Sequence, residues 1–445
     1  MSGAATPAAW LRPAPWDGTA ASLAEHVRAI GAVMDGSARL WLGPFAPPAR
    51  LPEGFEETAL VVPTSGSTGT AKAVALSRRA LLASQDATAA LLGATAAPPA
   101  AAEAHGHGFW LPLLPPTHIA GVQVIARAHR TRRLHGLDRP ALPQPLPDLS
   151  AGFDAELFAR LAAPALAQAE EAGLPALTSL VPTQLGRVLA DDRATALLSR
   201  FAAVLVGGAA TAPSLLAAAR EAGVAVRTTY GSSETAGGCV YDGVPLPGVE
   251  LSLADDGTGR LRIRGPMLAL GYLRPDGTGD GAGVLHEDAP ARPAAPEESA
   301  ASAEPLPARR VLTTSDLARL DGSRLRILGR ADDVIITGGR KVLPQDVESV
   351  VLRDPELAPL VRAVVVVGVE DPEWGQRLEA LVVPAGAEGD PAALPARIRA
   401  VLRGGPLPAH AVPKTVHLVP ELPLRGIGKI DRAAAREIAQ ASSRS

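Results

Sequence analysis

Apolar positions recur along the chain in two rhythms, and these predict most of its elements. A short apolar run, Ala59 to Val62, reads as a strand entering a loop of Thr, Ser and Gly. Beyond that loop, Lys72 to Leu92 reads as the remnant of a strand followed by a helix, and Leu157 to Glu171 repeats its apolar residues at the helical period. A βαβ unit follows: Ala202 to Val206 is a buried strand, Pro213 opens a helix that Gly223 ends, and Val224 to Thr229 is the next strand. This alternation predicts an α/β fold of mainly parallel sheets with helices on both faces. Glu250 to Arg264 differs, because Leu251, Leu253, Leu261 and Ile263 alternate around Asp256-Gly257 as in an antiparallel hairpin of a β subdomain. From Asp276 to Arg310 the chain is rich in Ala, Pro, Gly and Glu without periodicity, which predicts a mobile surface insertion; ordered pattern resumes at Val311. Past Arg330 the texture is α+β, with strands at Ala363 to Val369 and Leu378 to Pro384 and a helix at Ala393 to Arg403. Two domains are therefore expected, a large one over residues 1–330 and a small mobile one over 331–445.

Length supports that division, since 445 residues exceed one ordinary core. Aromatics are only 3%, so the cores should be built from Ala, Leu and Val. A net charge of −3 without a basic block argues against a nucleic-acid partner. The single cysteine, Cys239, excludes an intrachain disulfide and a Cys-based zinc site, and suits a reducing cytoplasm. Met1 to Asp17 lacks the pattern of a secretory signal, and no apolar run is long enough to span a membrane. A soluble cytoplasmic protein acting on small molecules is expected, with a homodimer allowed.

Candidate chemistry concentrates in the loop Thr64-Ser65-Gly66-Ser67-Thr68-Gly69-Thr70-Ala71-Lys72. Its glycines let the backbone approach a polyphosphate, its hydroxyls can donate to phosphate oxygens, and Lys72 adds a compact positive charge. The spacing is not that of the GTPase P-loop, and a solvated turn between strand and helix would look the same in isolation. Three later segments narrow the reading. Thr228-Thr229-Tyr230-Gly231-Ser232-Ser233-Glu234-Thr235 puts a carboxylate just after a parallel strand, at the carboxyl edge where α/β proteins bind ligands. Thr314-Ser315-Asp316 and Leu328-Gly329-Arg330-Ala331-Asp332-Asp333 lie at the domain border, and Leu424-Arg425-Gly426-Ile427-Gly428-Lys429-Ile430-Asp431-Arg432 sets a lysine on a Gly-flanked loop. In this order the four segments resemble the adenylate-forming (AMP-binding) superfamily of acyl-CoA synthetases, adenylation domains and luciferases, over roughly Ala59 to Arg432. Leu114-Pro115-Pro116-Thr117-His118-Ile119-Ala120-Gly121, Ser179-Leu180-Val181-Pro182-Thr183-Gln184-Leu185, and Glu234 to Gly243 resemble in particular its o-succinylbenzoate–CoA ligase family of menaquinone synthesis.

The resemblance implies a set of roles. ATP would be held by Thr64, Ser65, Gly66, Ser67, Thr68 and Gly69 with Lys72, and by Gly208, Ala209, Thr229, Tyr230, Gly231 and Ser233. Tyr230 would stack on adenine beside Gly207-Gly208-Ala209. Glu234 would hold Mg²⁺, a hard cation suited to a carboxylate. Asp316 would accept the ribose hydroxyls, although Ser315 stands where the family usually has Gly and brings a side chain into an expected tight turn. Arg330 would lie near ribose and phosphate. Asp332 would be the hinge about which the C-terminal domain rotates between half-reactions. Lys429 would stabilise charge during adenylate formation, and Gly338-Gly339 would replace it for thioester formation with coenzyme A. His118 would gate the carboxylate substrate. Arg187, helped by Thr183, is the candidate donor to a second substrate carboxylate; an ordinary surface arginine would read the same. An acyl-CoA synthetase for another aromatic or medium-chain acid remains open. A carrier-loading adenylation domain is disfavoured because no carrier module follows Lys429, and a non-catalytic nucleotide sensor is disfavoured by intact Lys72, Glu234 and Lys429.

Overall fold

The computed structural model describes residues 9–63, 72–94, 106–280, 285–287, 310–386, 391–425 and 429–442. Its largest part is built on two six-stranded sheets. The first runs Trp10–Leu11, Arg39–Trp41, Thr58–Pro63, Ala73–Ser77, Gly271–Leu273, Gly279–Asp280. The second runs Val244–Pro245, Gly237–Tyr241, Val226–Ser232, Ala203–Val206, Ala176–Leu180, Phe109–Leu111, and its last four strands are parallel. Both sheets are mixed, because hairpins add antiparallel neighbours to a parallel run.

Alternation along the strands decides which layer covers each face. Trp110, Leu177 and Leu205 of the second sheet join Leu60, Val62 and Leu76 of the first in one core, filled between them by the helices Ala20–Asp35, Arg78–Ala94 and Ile119–His135. The neighbouring positions Leu111, Leu180, Val204 and Val206 face a second core under the helices Ala155–Glu171, Pro182–Leu189, Asp192–Leu198 and Pro213–Glu221. Helix ends follow local chemistry: Thr19 and Asp154 accept from Ser22 N (3.1 Å) and Leu157 N (2.7 Å).

A third sheet is antiparallel, with Glu250–Leu253 and Arg260–Arg264 forming the expected hairpin and Arg310–Asp321 pairing Arg324–Arg330. The single turn Ala331–Asp333 then leads to a last sheet of Ile335–Thr337, Arg340–Val342, Val361–Asp371, Gly375–Pro384 and Thr415–Leu418. Helices Pro344–Arg353 and Leu394–Gly404 cover one face of it, and Ala435 and Ala439 of the helix Arg432–Ser442 cover the other.

Two expectations change. The strand expected at Val224 to Thr229 starts at Val226 and runs on to Ser232, which carries Tyr230 into the sheet. The segment Asp276 to Arg310 is not irregular throughout: Gly279–Asp280 pairs with Gly271–Leu273 across a turn whose Asp276 Oδ1 accepts from Thr278 N (2.9 Å), and His286 pairs with Val311. Strand pairing there overrides a composition that carries no alternation; residues 281–284 and 288–309 lie outside the described residues.

Candidate active site

The parallel strands Phe109–Leu111, Ala176–Leu180, Ala203–Val206 and Val226–Ser232 end at one edge, so the segments that follow them converge. Gln184 Nε2 donates to Leu113 O (3.2 Å) and Gly207 N to Leu180 O (3.3 Å), tying three of these segments together. His118, half-buried, is the N-cap residue of the helix Ile119–His135, with Nδ1 3.2 Å from Thr117 Oγ1. Gly207-Gly208-Ala209 follows the strand Ala203–Val206. A Cβ at Gly207 would lie 2.1 Å from Thr229 Oγ1, and one at Gly231 would lie 2.1 Å from Gly237 O, so glycine is required for backbone to approach this closely at both places.

Tyr230 OH donates to Asp316 Oδ2 (2.6 Å), Arg330 Nη1 donates to Asp316 Oδ1 (3.4 Å), and Arg330 Nη2 donates to Asp332 Oδ2 (3.0 Å). Register explains the cluster, since Asp316 and Arg330 are directly paired across their strands. Burial, with the Asp316 carboxylate beside it, raises the Tyr230 pKa well above that of an ordinary phenol. Burial works against the Arg330 charge, but Asp316 and Asp332 outweigh it and raise its pKa. The expected tight turn at Thr314-Ser315-Asp316 is instead part of the strand Arg310–Asp321, where extended backbone accommodates a serine, and Thr314 Oγ1 accepts from Asp316 N (3.1 Å).

Thr64, Ser65, Gly66, Ser67, Thr68 and Gly69 lie outside the described residues, but the stems of their loop are defined. Pro63 pairs with Ala73, and Val74 pairs with Tyr272. Lys72 Nζ stands 4.4 Å from the Tyr272 ring centroid, and Tyr272 OH donates to Glu234 Oε1 (2.6 Å). Burial and the Glu234 charge raise the Tyr272 pKa. Tyr272 therefore joins the cation at the end of the loop to the carboxylate after the parallel strand. Sequence reasoning missed it; its only mark is a tyrosine in a three-residue strand with no motif. Glu234 sits with Ser233 in the turn Ser233–Thr235, and its carbonyl accepts from Ala269 N (2.8 Å). Ala236 follows at φ +48°, a conformation costly for a residue with a Cβ, held by Ser84 Oγ (3.1 Å) and Gln123 Nε2 (2.6 Å) on its carbonyl.

Beneath this turn lies a buried polar layer of Gln85, Thr88, Gln123, Arg127 and Tyr241. Arg127, 6% exposed, lies 5.4 Å from the Trp110 ring centroid, and Nη2 donates to Thr88 Oγ1 (3.1 Å). Among the described residues it has no carboxylate partner, and its Nε is unsatisfied. Arg187 and Thr183 are both exposed, and Arg187 Nη1 donates to Phe153 O (2.7 Å). That bond engages the Arg187 guanidinium on a loop carbonyl at the surface, the arrangement an ordinary surface arginine would show.

Lys429 begins the two-residue strand Lys429–Ile430, paired with Leu424–Arg425. Gly338 and Gly339 form a turn at φ +55° and +74° between the strands Ile335–Thr337 and Arg340–Val342. Among the described residues no group of three or more His, Cys, Asp or Glu side chains could enclose a metal. Glu234, with Oε1 on Tyr272 and Oε2 without a partner among the described residues, instead fits a Mg²⁺ that arrives with a polyphosphate and needs one protein carboxylate.

Comparison with known proteins gives the family. Residues 149–273 match the model of the AMP-binding enzyme family, and 346–429 match that of the AMP-binding enzyme C-terminal domain. A probable 2-succinylbenzoate–CoA ligase of Mycobacterium tuberculosis is 38% identical over 382 residues, covering 85% of this chain and 84% of that protein. The chain belongs to the AMP-binding enzyme family. Among solved structures, this AMP-binding enzyme is similar to the amide bond synthetase McbA from Marinactinospora thermotolerans (TM-score 0.63, 26% identity, 97% of this chain and 80% of that one). Its fold is also that of o-succinylbenzoate CoA synthetase from Bacillus subtilis in complex with an acyl-adenylate intermediate (TM-score 0.59, 20% identity, 96% and 87%). Among the described residues, no helix is long and apolar enough to cross a membrane.

Proposed function

We propose that the protein is an AMP-forming acid–thiol ligase that converts o-succinylbenzoate to o-succinylbenzoyl-CoA in menaquinone biosynthesis. The observation that carries this reading is the 38% identity to a probable 2-succinylbenzoate–CoA ligase along 84% of that protein. In the first half-reaction a substrate carboxylate oxygen attacks the α-phosphorus of ATP and pyrophosphate leaves. In the second the thiol sulfur of coenzyme A attacks the acyl carbon, its proton is lost, and AMP departs. Tyr230 with Gly207-Gly208-Ala209 would take the adenine, and Asp316, positioned by Arg330, the ribose hydroxyls. Thr229, Gly231 and Ser233 would line the nucleotide's path to the loop 64–71, and Lys72 would meet its phosphates. Mg²⁺ bound at Glu234 would neutralise charge on the phosphates. His118 would separate the acyl group from the thiol until the domains reorient. Lys429 would stabilise the charge developing at the α-phosphate, and Gly338-Gly339 would take its place for thioester formation.

The second carboxylate of the substrate needs a donor, because burying it unpaired is costly. Arg127 suits this better than Arg187, being a buried guanidinium with an unsatisfied Nε and no carboxylate of its own among the described residues. ATP–pyrophosphate exchange across a panel of acids tests the assignment. o-Succinylbenzoate should be activated in strong preference to benzoate and to medium-chain acids, and Arg127→Met should remove that preference. A wild type that prefers a monocarboxylic acid would rule the substrate out while leaving the ligase reading intact.

A further inference from the structure

Arg432 opens the helix Arg432–Ser442, three positions after Lys429. Its guanidinium is engaged from three elements at once. Nη1 and Nη2 donate to Glu348 Oε1 (2.8 Å) and Oε2 (3.0 Å), a bidentate fork on the helix Pro344–Arg353. Nη1 also donates to Val366 O (2.8 Å), and Nε lies 3.2 Å from Asp333 Oδ2. Glu348 is only 9% exposed and accepts from Val366 N as well (2.8 Å), so the fork is built into the domain core. Toward Lys429, Asp431 N donates to Pro423 O (2.9 Å), closing the hairpin in which Arg425 pairs with Lys429. Asp431 Oδ1 then accepts from Ala433 N (3.1 Å) and Ala434 N (3.2 Å), capping the helix.

Asp333 adjoins Asp332, the expected pivot, and the two carboxylates are held by different arginines. Asp332 is bound by Arg330, which also reaches Asp316, whereas Asp333 is bound by Arg432. The pair Arg330–Asp332 thus faces the nucleotide side of the pivot and Arg432–Asp333 the lysine side. A hairpin with two residue pairs in its ladder has little stiffness of its own.

We infer that Arg432 is a positioning residue for adenylate formation: it fastens the hairpin carrying Lys429 to Asp333, so that rotation about Asp332 delivers lysine and hinge as one rigid unit. This rests on the role proposed above for Lys429, which serves only the first half-reaction.

Two variants test it, each assayed for pyrophosphate exchange and for thioester formation from a supplied acyl-adenylate. Arg432→Gln should slow exchange by roughly 10- to 100-fold, the scale set by misplacing a catalytic group by about 1 Å, and change the thioester step little. In a Lys429→Ala background the same substitution should slow exchange no further. Arg432→Lys, which keeps the charge but loses the fork, should recover part of the exchange rate. Because Arg432→Gln also strands buried Glu348, Asp333→Asn is the second variant; it leaves the fork intact and should show the same split with the melting temperature unchanged. Equal losses in both half-reactions, or unaltered exchange in folded Asp333→Asn, would overturn the inference. If Lys429→Ala itself leaves exchange intact, the failure belongs to the role of Lys429.

Discussion

Arg127, beneath the turn Ser233–Thr235, and Arg432, beside the proposed hinge, both have little exposure to water, yet their surroundings differ. Arg432 has two carboxylates and a carbonyl within 3.2 Å. Arg127 has one hydroxyl and an aromatic face, and no carboxylate among the described residues. A cation held by several partners at once acts as a fastener, since any movement breaks several bonds together. A buried cation left short of partners gains little from the fold around it, and its placement makes sense when a ligand supplies the missing anion. The contrast separates a charge that ties elements together from one that the proposed function assigns to the substrate.

The largest effect expected follows from Arg432. Arg432→Ala leaves Glu348 buried without its partner, and chemical denaturation should show a loss of about 3–5 kcal/mol. A loss below 1 kcal/mol would mean that the fork is ornamental. Next is Glu234→Gln, at the surface end of the turn that covers Arg127. Pyrophosphate exchange should fall on the order of 100-fold while the melting temperature stays within a degree or two, because Glu234 is held by a single hydroxyl. A markedly lower melting temperature with exchange retained would make Glu234 a structural residue. Arg127→Met should then change stability by less than about 1.5 kcal/mol in either direction, since a flexible apolar chain can replace an arginine that has no carboxylate among the described residues. A loss as large as that of Arg432→Ala would erase the distinction between the two sites.

The last effect is one of pH. Burial pushes the His107 pKa from 6.5 down to about 4, and the positive charges of Arg130 and Arg127 add to the shift. The unfolded chain therefore binds a proton at this site that the folded protein refuses. Stability contributed by neutral His107 is complete above pH 6.5 and is lost as pH falls from there toward about 4. His107→Gln should flatten the decline of stability over that window, and Arg127→Met should flatten it slightly. An unchanged slope in both variants would mean that His107 keeps its ordinary pKa.

Much of the scaffold was legible before any contact was known. The helix at Leu157 to Glu171, the βαβ unit around Pro213 and the Leu251–Ile263 hairpin all appear where their periodicity predicts them. The candidate site was legible in part. Tyr230, Asp316 and Arg330, marked by motif, do come together through hydrogen bonds. Tyr272 carried no motif, and Arg187 carried one that led to a surface carbonyl.

By itself the amino-acid sequence determined where helices and strands run and which segments bear chemistry, because both depend on short-range geometry: a period of about 3.6 or 2, a capping residue, a glycine where backbone must approach backbone. Only the tertiary structure decided which charges meet. The chain has 43 Lys and Arg and 46 Asp and Glu residues, so no local rule selects Asp333 and Glu348 for Arg432, or leaves Arg127 without a carboxylate among the described residues. That selection falls to strand register and helix docking, which bring together side chains 38, 84 and 86 positions apart.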